Sequence, residues 1–226
     1  AQLLAEAIDK DPDNVAALLL GARAQAQLDQ PTEAVALLSR AILRSEDDHE
    51  LIGAHLATAE LFHRTLGVGD RALRSLRTVL KLDPKHREAL DMLAEICEGT
   101  GNLEEAEAYL ARLSRLVEPG PEQGKALGRL AEVLRRRHGD DDERLVPLAL
   151  EAAQLAPAEA PLVQRAVEAL QRAERYEDLA ELLDGALEVL PEERKLDFLL
   201  IRGETLALHL GRPEEAKRLL RQALER

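Results

Sequence analysis

The chain has 226 residues, 46% hydrophobic but only 2% aromatic, and its 43 acidic and 30 basic residues leave a net charge of −13. An apolar share carried by Leu and Ala suits helices and offers strands little, and the negative charge works against the phosphate attraction that dominates nucleic-acid binding. No apolar run approaches the roughly 18 residues of a membrane span, no signal peptide is visible, and a single cysteine, Cys97, cannot close an internal disulfide, which together lead to the expectation of a cytoplasmic, all-helical protein without nucleic acid or membrane as partner.

The elements read in chain order as a lone helix over about 1–9, then six helical hairpins whose first helices begin near 15, 50, 86, 122, 160 and 194. Helix stop and start signals separate the two helices of a pair at Asp29-Gln30-Pro31, Gly67-Val68-Gly69-Asp70, Gly101-Asn102, Gly139-Asp140 and Gly211-Arg212-Pro213. Between pairs stand Asp11-Pro12-Asp13-Asn14, Asp83-Pro84, Pro119-Gly120-Pro121, Ala156-Pro157 and Leu190-Pro191. About 13 helices follow from this punctuation, with approximate units 1–14 (a half unit), 15–48, 49–86, 87–120, 121–159, 160–193 and 194–226 in one continuous solenoid.

A repeat underlies the punctuation. Pro12, Glu46, Pro84, Glu118, Pro157 and Pro191 are spaced by 34, 38, 34, 39 and 34 residues, and stacked units can absorb the two longer intervals in a turn or an extended helix. Within the second helices, Ala34, Leu38, Ala41 recurs as Ala72, Leu76, Val79, as Ala106, Leu110, Leu113, as Leu179, Leu183, Ala186 and as Ala216, Leu220, Ala223. Offsets of four and three trace one helical face, and the small residues on it admit a neighbouring helix. The unit holding Leu127, Leu130, Ala131 and Leu134 is the least regular, with a second helix starting around Leu145, and flexing is expected to concentrate between Pro119 and Pro147.

Two stretches carry a family resemblance: Ala89-Leu90-Asp91-Met92-Leu93-Ala94 with Gly101-Asn102-Leu103-Glu104-Glu105-Ala106-Glu107-Ala108-Tyr109-Leu110, and Leu210-Gly211-Arg212-Pro213-Glu214-Glu215-Ala216 with Leu220 and Ala223. The pattern resembles the tetratricopeptide repeat, TPR, across the whole chain, departing where the family often has Trp, Tyr or Phe and this chain has Leu, Ala or Cys97. The resemblance implies a right-handed superhelical α-solenoid of antiparallel helix pairs, whose first helices line a concave groove that takes a partner's peptide or helix. It disfavours the clamp for acidic chaperone tails, because the matching places hold Arg23, Leu61, Glu95, Glu132, Glu168 and Thr205, with no asparagine.

Chemistry of other kinds is sparse. Gly67-Val68-Gly69 follows a helix and reads as a turn rather than a phosphate loop, and no HExxH, paired CxxC or nucleophile elbow occurs. Ser39, Ser45, Ser75 and Ser114 have no histidine spaced for a local dyad, and His49, His55, Glu60 and His63 fit a metal site poorly because His55 and His63 are more than two helical turns apart. No catalytic residue, metal or cofactor is expected, and Cys97 reads as a small buried apolar residue. Arg135-Arg136-Arg137-His138 is followed at once by Asp140-Asp141-Asp142-Glu143, an arrangement that suits the end of one helix and the start of the next.

The expected partner surface holds Leu19 and Arg23, then Leu61 and Arg64, then Glu88, Asp91, Glu95 and Glu98, then Lys125, Arg129 and Arg136, then Arg165 and Arg172. Spacings of three, four and three put the four carboxylates in one stripe, which either captures a basic partner or pairs with the cations of the next first helix. The expected function is a non-catalytic protein–protein interaction scaffold that binds a peptide or helix. A regulatory segment of a larger enzyme is the alternative, together with an array that self-associates through uncapped terminal helices. The start at Ala1 and the stop at Arg226 inside a final second helix suggest a fragment of a longer protein.

Overall fold

The computed structural model describes residue 6 and residues 8–224, the side chains of 222–224 excepted. It divides into two compact units, residues 1–102 and 103–226. The first holds α1 (Val15–Gln27), α2 (Pro31–Arg44), α3 (Asp48–Glu60), α4 (Gly69–Leu82) and α5 (Arg87–Thr100). The second holds α6 (Leu103–Leu116), α7 (Pro121–His138), α8 (Leu145–Leu155), α9 (Ala160–Arg172), α10 (Tyr176–Val189), α11 (Glu192–Glu204) and α12 (Pro213–Leu224). These twelve α-helices, with no strand among the described residues, follow the expected order to within about two residues at the starts of the first helices. Of the helix expected at 1–9, Glu6 and residues 8–10 are helical and the remainder lies outside the described residues.

Local chemistry sets the boundaries. Asn14 accepts a hydrogen bond from the Ala17 amide at 2.9 Å. Asp47 accepts one from Glu50 at 2.8 Å, while the Glu50 carboxylate reaches back to the Glu46 amide at 3.0 Å, so donors at the start of α3 are satisfied from both directions. Pro31 and Pro121 stand at first helical positions, where a missing N–H costs nothing. The helix ends use the left-handed conformation, at Gly67, Gly101 and Gly211 but also at Asp29 (φ 57°) and Glu174 (φ 54°), where a side chain must be tolerated.

Two first helices end in a way the sequence did not announce. A π turn continues α3 over Leu61–Thr65 and α11 over Thr205–His209. The Val68 amide then closes on the Phe62 carbonyl at 2.8 Å, and Arg212 on Leu206 at 2.7 Å. In α3 the consequence is that Leu61 and Phe62, both buried, line different clefts.

The repeated series is the core. Ala34, Leu38, Ala41, Ala72, Leu76, Val79, Ala106, Leu110, Leu113, Leu179, Leu183 and Ala186 are all buried. In the last copy Ala216 is buried but Leu220 is only half-buried, against expectation, and on the α11 side it faces Gly203. Ala223 lies outside the described side chains. In the first unit Val15, Leu18, Ala41 and Ala54 form one cluster and Ala22, Ala34, Leu38, Ala57 and Leu61 another. In the second unit one larger cluster runs from Ala149 through Val163, Leu170, Leu179 and Leu183 to Phe198. Cys97 is fully buried, as a small apolar residue would be. Close approach is visible at Gly124, where a built Cβ would lie 2.8 Å from the Ala152 carbonyl oxygen and 2.9 Å from the Ala156 Cβ.

Candidate functional site: the first-helix clefts

In the first unit, α1 and α3 pack side by side with α2 behind them and leave a cleft of about 270 Å³. Ala22, Arg23, Ala26 and Gln27 come from α1 at offsets that keep them on one face. Ala57 and Glu60 come from α3, Leu61, Arg64 and Thr65 from its π turn, and Leu38 of α2 closes the floor. Three alanines make the cleft, since a larger side chain at Ala22, Ala26 or Ala57 would fill it. Its floor is apolar and its rim cationic: Arg23 is exposed, and Arg64 lies 3.9 Å from Glu60. Of the residues expected on this surface, Arg23, Leu61 and Arg64 come together here. Leu19 does not, because it is half-buried between the two apolar clusters and serves as core.

The acidic stripe lies on α5. Glu88, Asp91 and Glu95 are exposed and Glu98 is half-buried. The π turn of α3 brings His63 Nε2 to 3.4 Å from Glu95 Oε1, so one end of the stripe is tethered to the helix that forms the cleft. His55, an earlier metal candidate, is half-buried with its Nδ1 unpaired, and burial holds its pKa below the ordinary value. Among the described residues no group of three or more His, Cys, Asp or Glu is arranged to hold a metal ion. Ser39 and Ser45 donate to carbonyls one turn back, at 2.9 and 2.8 Å.

A second cleft, about 310 Å³, lies in the second unit between α7 and α9, over α8. Ala131, Leu145, Ala149 and Ala169 give it an apolar base, and Glu132, Arg135, Asp140, Arg165, Glu168 and Arg172 surround it. Here the charges are matched within the site. Arg135 holds Glu132 at 2.7 Å and, with a hydrogen bond as the leading cause, keeps that carboxyl below its usual range. Arg172 pairs with Asp140 at 3.3 Å and Glu168 at 3.8 Å, and Arg165 donates to the Gly128 carbonyl at 3.3 Å. Arg165 and Arg172 therefore line this cleft. Lys125, Arg129 and Arg136 lie elsewhere on α7, and Lys125 is engaged by Glu122 at 3.2 Å and Glu159 at 3.4 Å, which raise its pKa.

The basic run at the end of α7 behaves differently from its reading as a self-neutralising turn. Arg135 does reach Asp140, at 3.8 Å, but Arg137 and His138 turn to Glu107 of α6, at 2.6 and 3.6 Å. Arg144 joins them at 3.0 Å and also grips Asp142 at 2.7 Å. Burial alone would raise the Glu107 pKa, yet hydrogen bonds from Arg137 and Arg144 outweigh it and hold it low. The same kind of bond from Arg144 brings Asp142 down to about 2. The loop expected to flex is thus fastened to α6. Nothing in the local sequence signalled Glu107, because its cations arrive from 30 and 37 residues away.

Short antiparallel helix pairs, alanine-lined clefts on the first helices and a buried small–Leu–small code on the second define a helical-repeat protein of the class that builds binding surfaces from stacked hairpins. A family model described as tetratricopeptide repeat matches residues 1–57 and 67–130, more than half of the chain, and the chain belongs to that family.

No significant match is found among curated proteins. Among solved structures, the C-terminal part of a TPR repeat-containing protein from Cytophaga hutchinsonii is similar with a TM-score of 0.64 at 10% identity, covering 96% of this chain and 86% of its own. PilF of Pseudomonas aeruginosa gives 0.57 at 16% identity, covering 92% and 89%. YrrB, a TPR protein with an unusual peptide-binding site, gives 0.55 at 18% identity, covering 83% and 91%. At such identities the likeness speaks for the fold alone, and it is membership of the tetratricopeptide-repeat family that makes the chain a protein-interaction scaffold in general terms. Among the described residues no helix is long and apolar enough to cross a membrane.

Proposed function

We propose that the chain binds a partner peptide on its first helices, with an apolar side chain of the peptide entering the cleft between α1 and α3 and a basic residue meeting the acidic stripe of α5. The observation that carries this reading is the cleft itself: an apolar floor of Ala22, Ala26, Ala57 and Leu61, whose π turn also meets, through His63 and Glu95, the helix that presents Glu88, Asp91 and Glu95. Apolar anchors in such depressions supply most of the affinity of a peptide complex, and the surrounding charges set specificity and association rate. Like charges one turn apart destabilise a helix by roughly 0.2–0.5 kcal/mol per pair, so a cation of the ligand would be favoured along the stripe.

Selection from a random-peptide display library tests the proposal. The expected consensus pairs an aliphatic or aromatic residue with Lys or Arg. Ala26→Arg, which fills the cleft, should abolish binding of the selected peptides, and Asp91→Lys with Glu95→Lys should weaken it and reverse its salt dependence. Peptides that bind both variants as well as wild type would remove the first-helix surface as the site.

A further inference from the structure

A different face of the first unit carries an independent site. On the side of the second helices, α2 and α4 flank a cleft of about 380 Å³. Its base is apolar, made by Val35, Leu38 and Ile42 of α2 and by Phe62, which the π turn of α3 delivers to this side. Arg71 and Arg74, one turn apart on α4, stand over it, with the hydroxyls of Ser39 and Ser75 between. The Arg71 guanidinium lies 5.1 Å from the centre of the Phe62 ring, and Arg74 Nε donates to the Asp70 carbonyl at 3.3 Å. Among the described residues neither arginine meets a carboxylate at ion-pair distance.

The charge around this cleft runs opposite to that of the chain. The two flanking helices carry Arg40, Arg44, Arg71, Arg74, Arg77 and Lys81 against Glu33 and Asp70 alone, in a protein of net charge −13. Arg40 and Arg44 are turned toward the chain before α1, at the Pro12 carbonyl and the Asp13 carboxylate, which leaves α4 as the cationic wall. Apolar surface also continues out of the mouth: Leu43, 82% exposed, stands one turn beyond Ser39 on the same face of α2. An arginine stacked on an aromatic ring is held in place with its remaining donors directed outward.

We infer that this cleft is a second docking site, which takes an acidic amphipathic segment of a partner protein: Leu- or Ile-type residues seat on Val35, Ile42 and Phe62, and a carboxylate one turn away bridges to Arg71 and Arg74. Complementary charge selects the partner, because a chain of net charge −13 repels an acidic segment overall while this cleft attracts it. Together with the first-helix cleft, the unit then presents faces of opposite preference, one for a basic peptide and one for an acidic helix, and can hold two unlike partners at once.

Fluorescence anisotropy with a labelled helix-forming peptide that carries Leu and Glu four residues apart on one face is the test. Wild type should bind it saturably, with affinity falling as salt is raised. Arg74→Glu and the cleft-filling Ser39→Trp should each weaken binding by about tenfold or more. Both replace exposed residues, and unchanged circular-dichroism melting checks that both fold. Asp91→Lys with Glu95→Lys should leave this binding intact even if the basic-peptide site is lost. The inference is overturned if the peptide does not bind, if a Ser/Glu version without leucine binds equally, or if Arg74→Glu has no effect. It is also overturned if Arg74→Glu dissociates a wild-type oligomer in sedimentation, since the cleft would then be occupied by a second copy.

Discussion

The same substitution, glycine to alanine inside a helix, should have opposite signs at two places. Gly185 lies in α10, and a Cβ built on it meets nothing within 4 Å. Alanine there contributes only its helix preference, worth about 1 kcal/mol, so Gly185→Ala should be more stable by that amount. Gly124 lies in α7 against α8, and its Cβ would stand 2.8 Å from the Ala152 carbonyl oxygen, 2.9 Å from the Ala156 Cβ and 3.2 Å from the Leu155 Cβ. Two of these are atoms fixed directly to backbone and the third is backbone itself, so relief requires the helices to move apart. Overpacking of that kind costs about 1–3 kcal/mol, and set against a propensity gain of about 1 kcal/mol Gly124→Ala should lose up to about 2 kcal/mol net. Gly128→Ala tests the reasoning between these limits, because its Cβ would meet only the end of the Leu162 side chain, which can rotate away. Urea titrations followed by circular dichroism measure all three through their midpoints. A Gly124→Ala protein as stable as Gly185→Ala would refute the close α7–α8 packing from which the argument starts.

Relief of the left-handed conformation at Glu174 predicts that Glu174→Gly gains about 1 kcal/mol, and an unchanged melting temperature would show that the conformation is not strained. Leu110→Ala, at a fully buried position, should lose about 2–5 kcal/mol, whereas Leu220→Ala, half-buried, should lose clearly less, and equal losses would place the final helix in a fuller core than described. Because hydrogen bonds keep Glu107 low and Asp142 at about 2 in the folded state, they favour folding above the unfolded carboxylate range of about 4 and lose that contribution as pH falls toward 2. The stability gap between wild type and Arg144→Met should accordingly be full near neutral pH and shrink below about pH 4. A gap that does not change with pH would sink the ion cluster as a fastening of the 139–144 loop.

What could be read ahead of the structure was whatever recurs locally. The small–Leu–small series repeats at fixed offsets, so Ala34, Leu38, Ala41 and their counterparts announced a buried face, and the first four series proved buried throughout, as did Ala216 of the last. Turn residues placed the helices for the same reason, since capping and left-handed ends are properties of a few adjacent residues. Arg23, Leu61 and Arg64 were legible because one helical face follows from spacing. Leu19 was not, because it packs against two clusters whose members Leu38, Ala41, Ala54 and Ala57 come from other helices. The π turns were hidden as well: nothing in Leu61–Thr65 or Thr205–His209 differs in residue type from an ordinary helix end, yet the extra residue decides which cleft Phe62 serves. Contacts such as Arg137 and Arg144 with Glu107 depend on which helix a long side chain reaches, and no local pattern encodes that.

Hydrogen–deuterium exchange of the protein with and without a display-selected basic–apolar peptide addresses the central claim most directly. Slowed exchange on the first helices, at residues 22–27 of α1 and 57–65 of α3 and its π turn, with a smaller effect along α5, is the predicted result. Slowed exchange confined to the second helices α2 and α4, or a peptide that binds without altering exchange on α1 and α3, would contradict it.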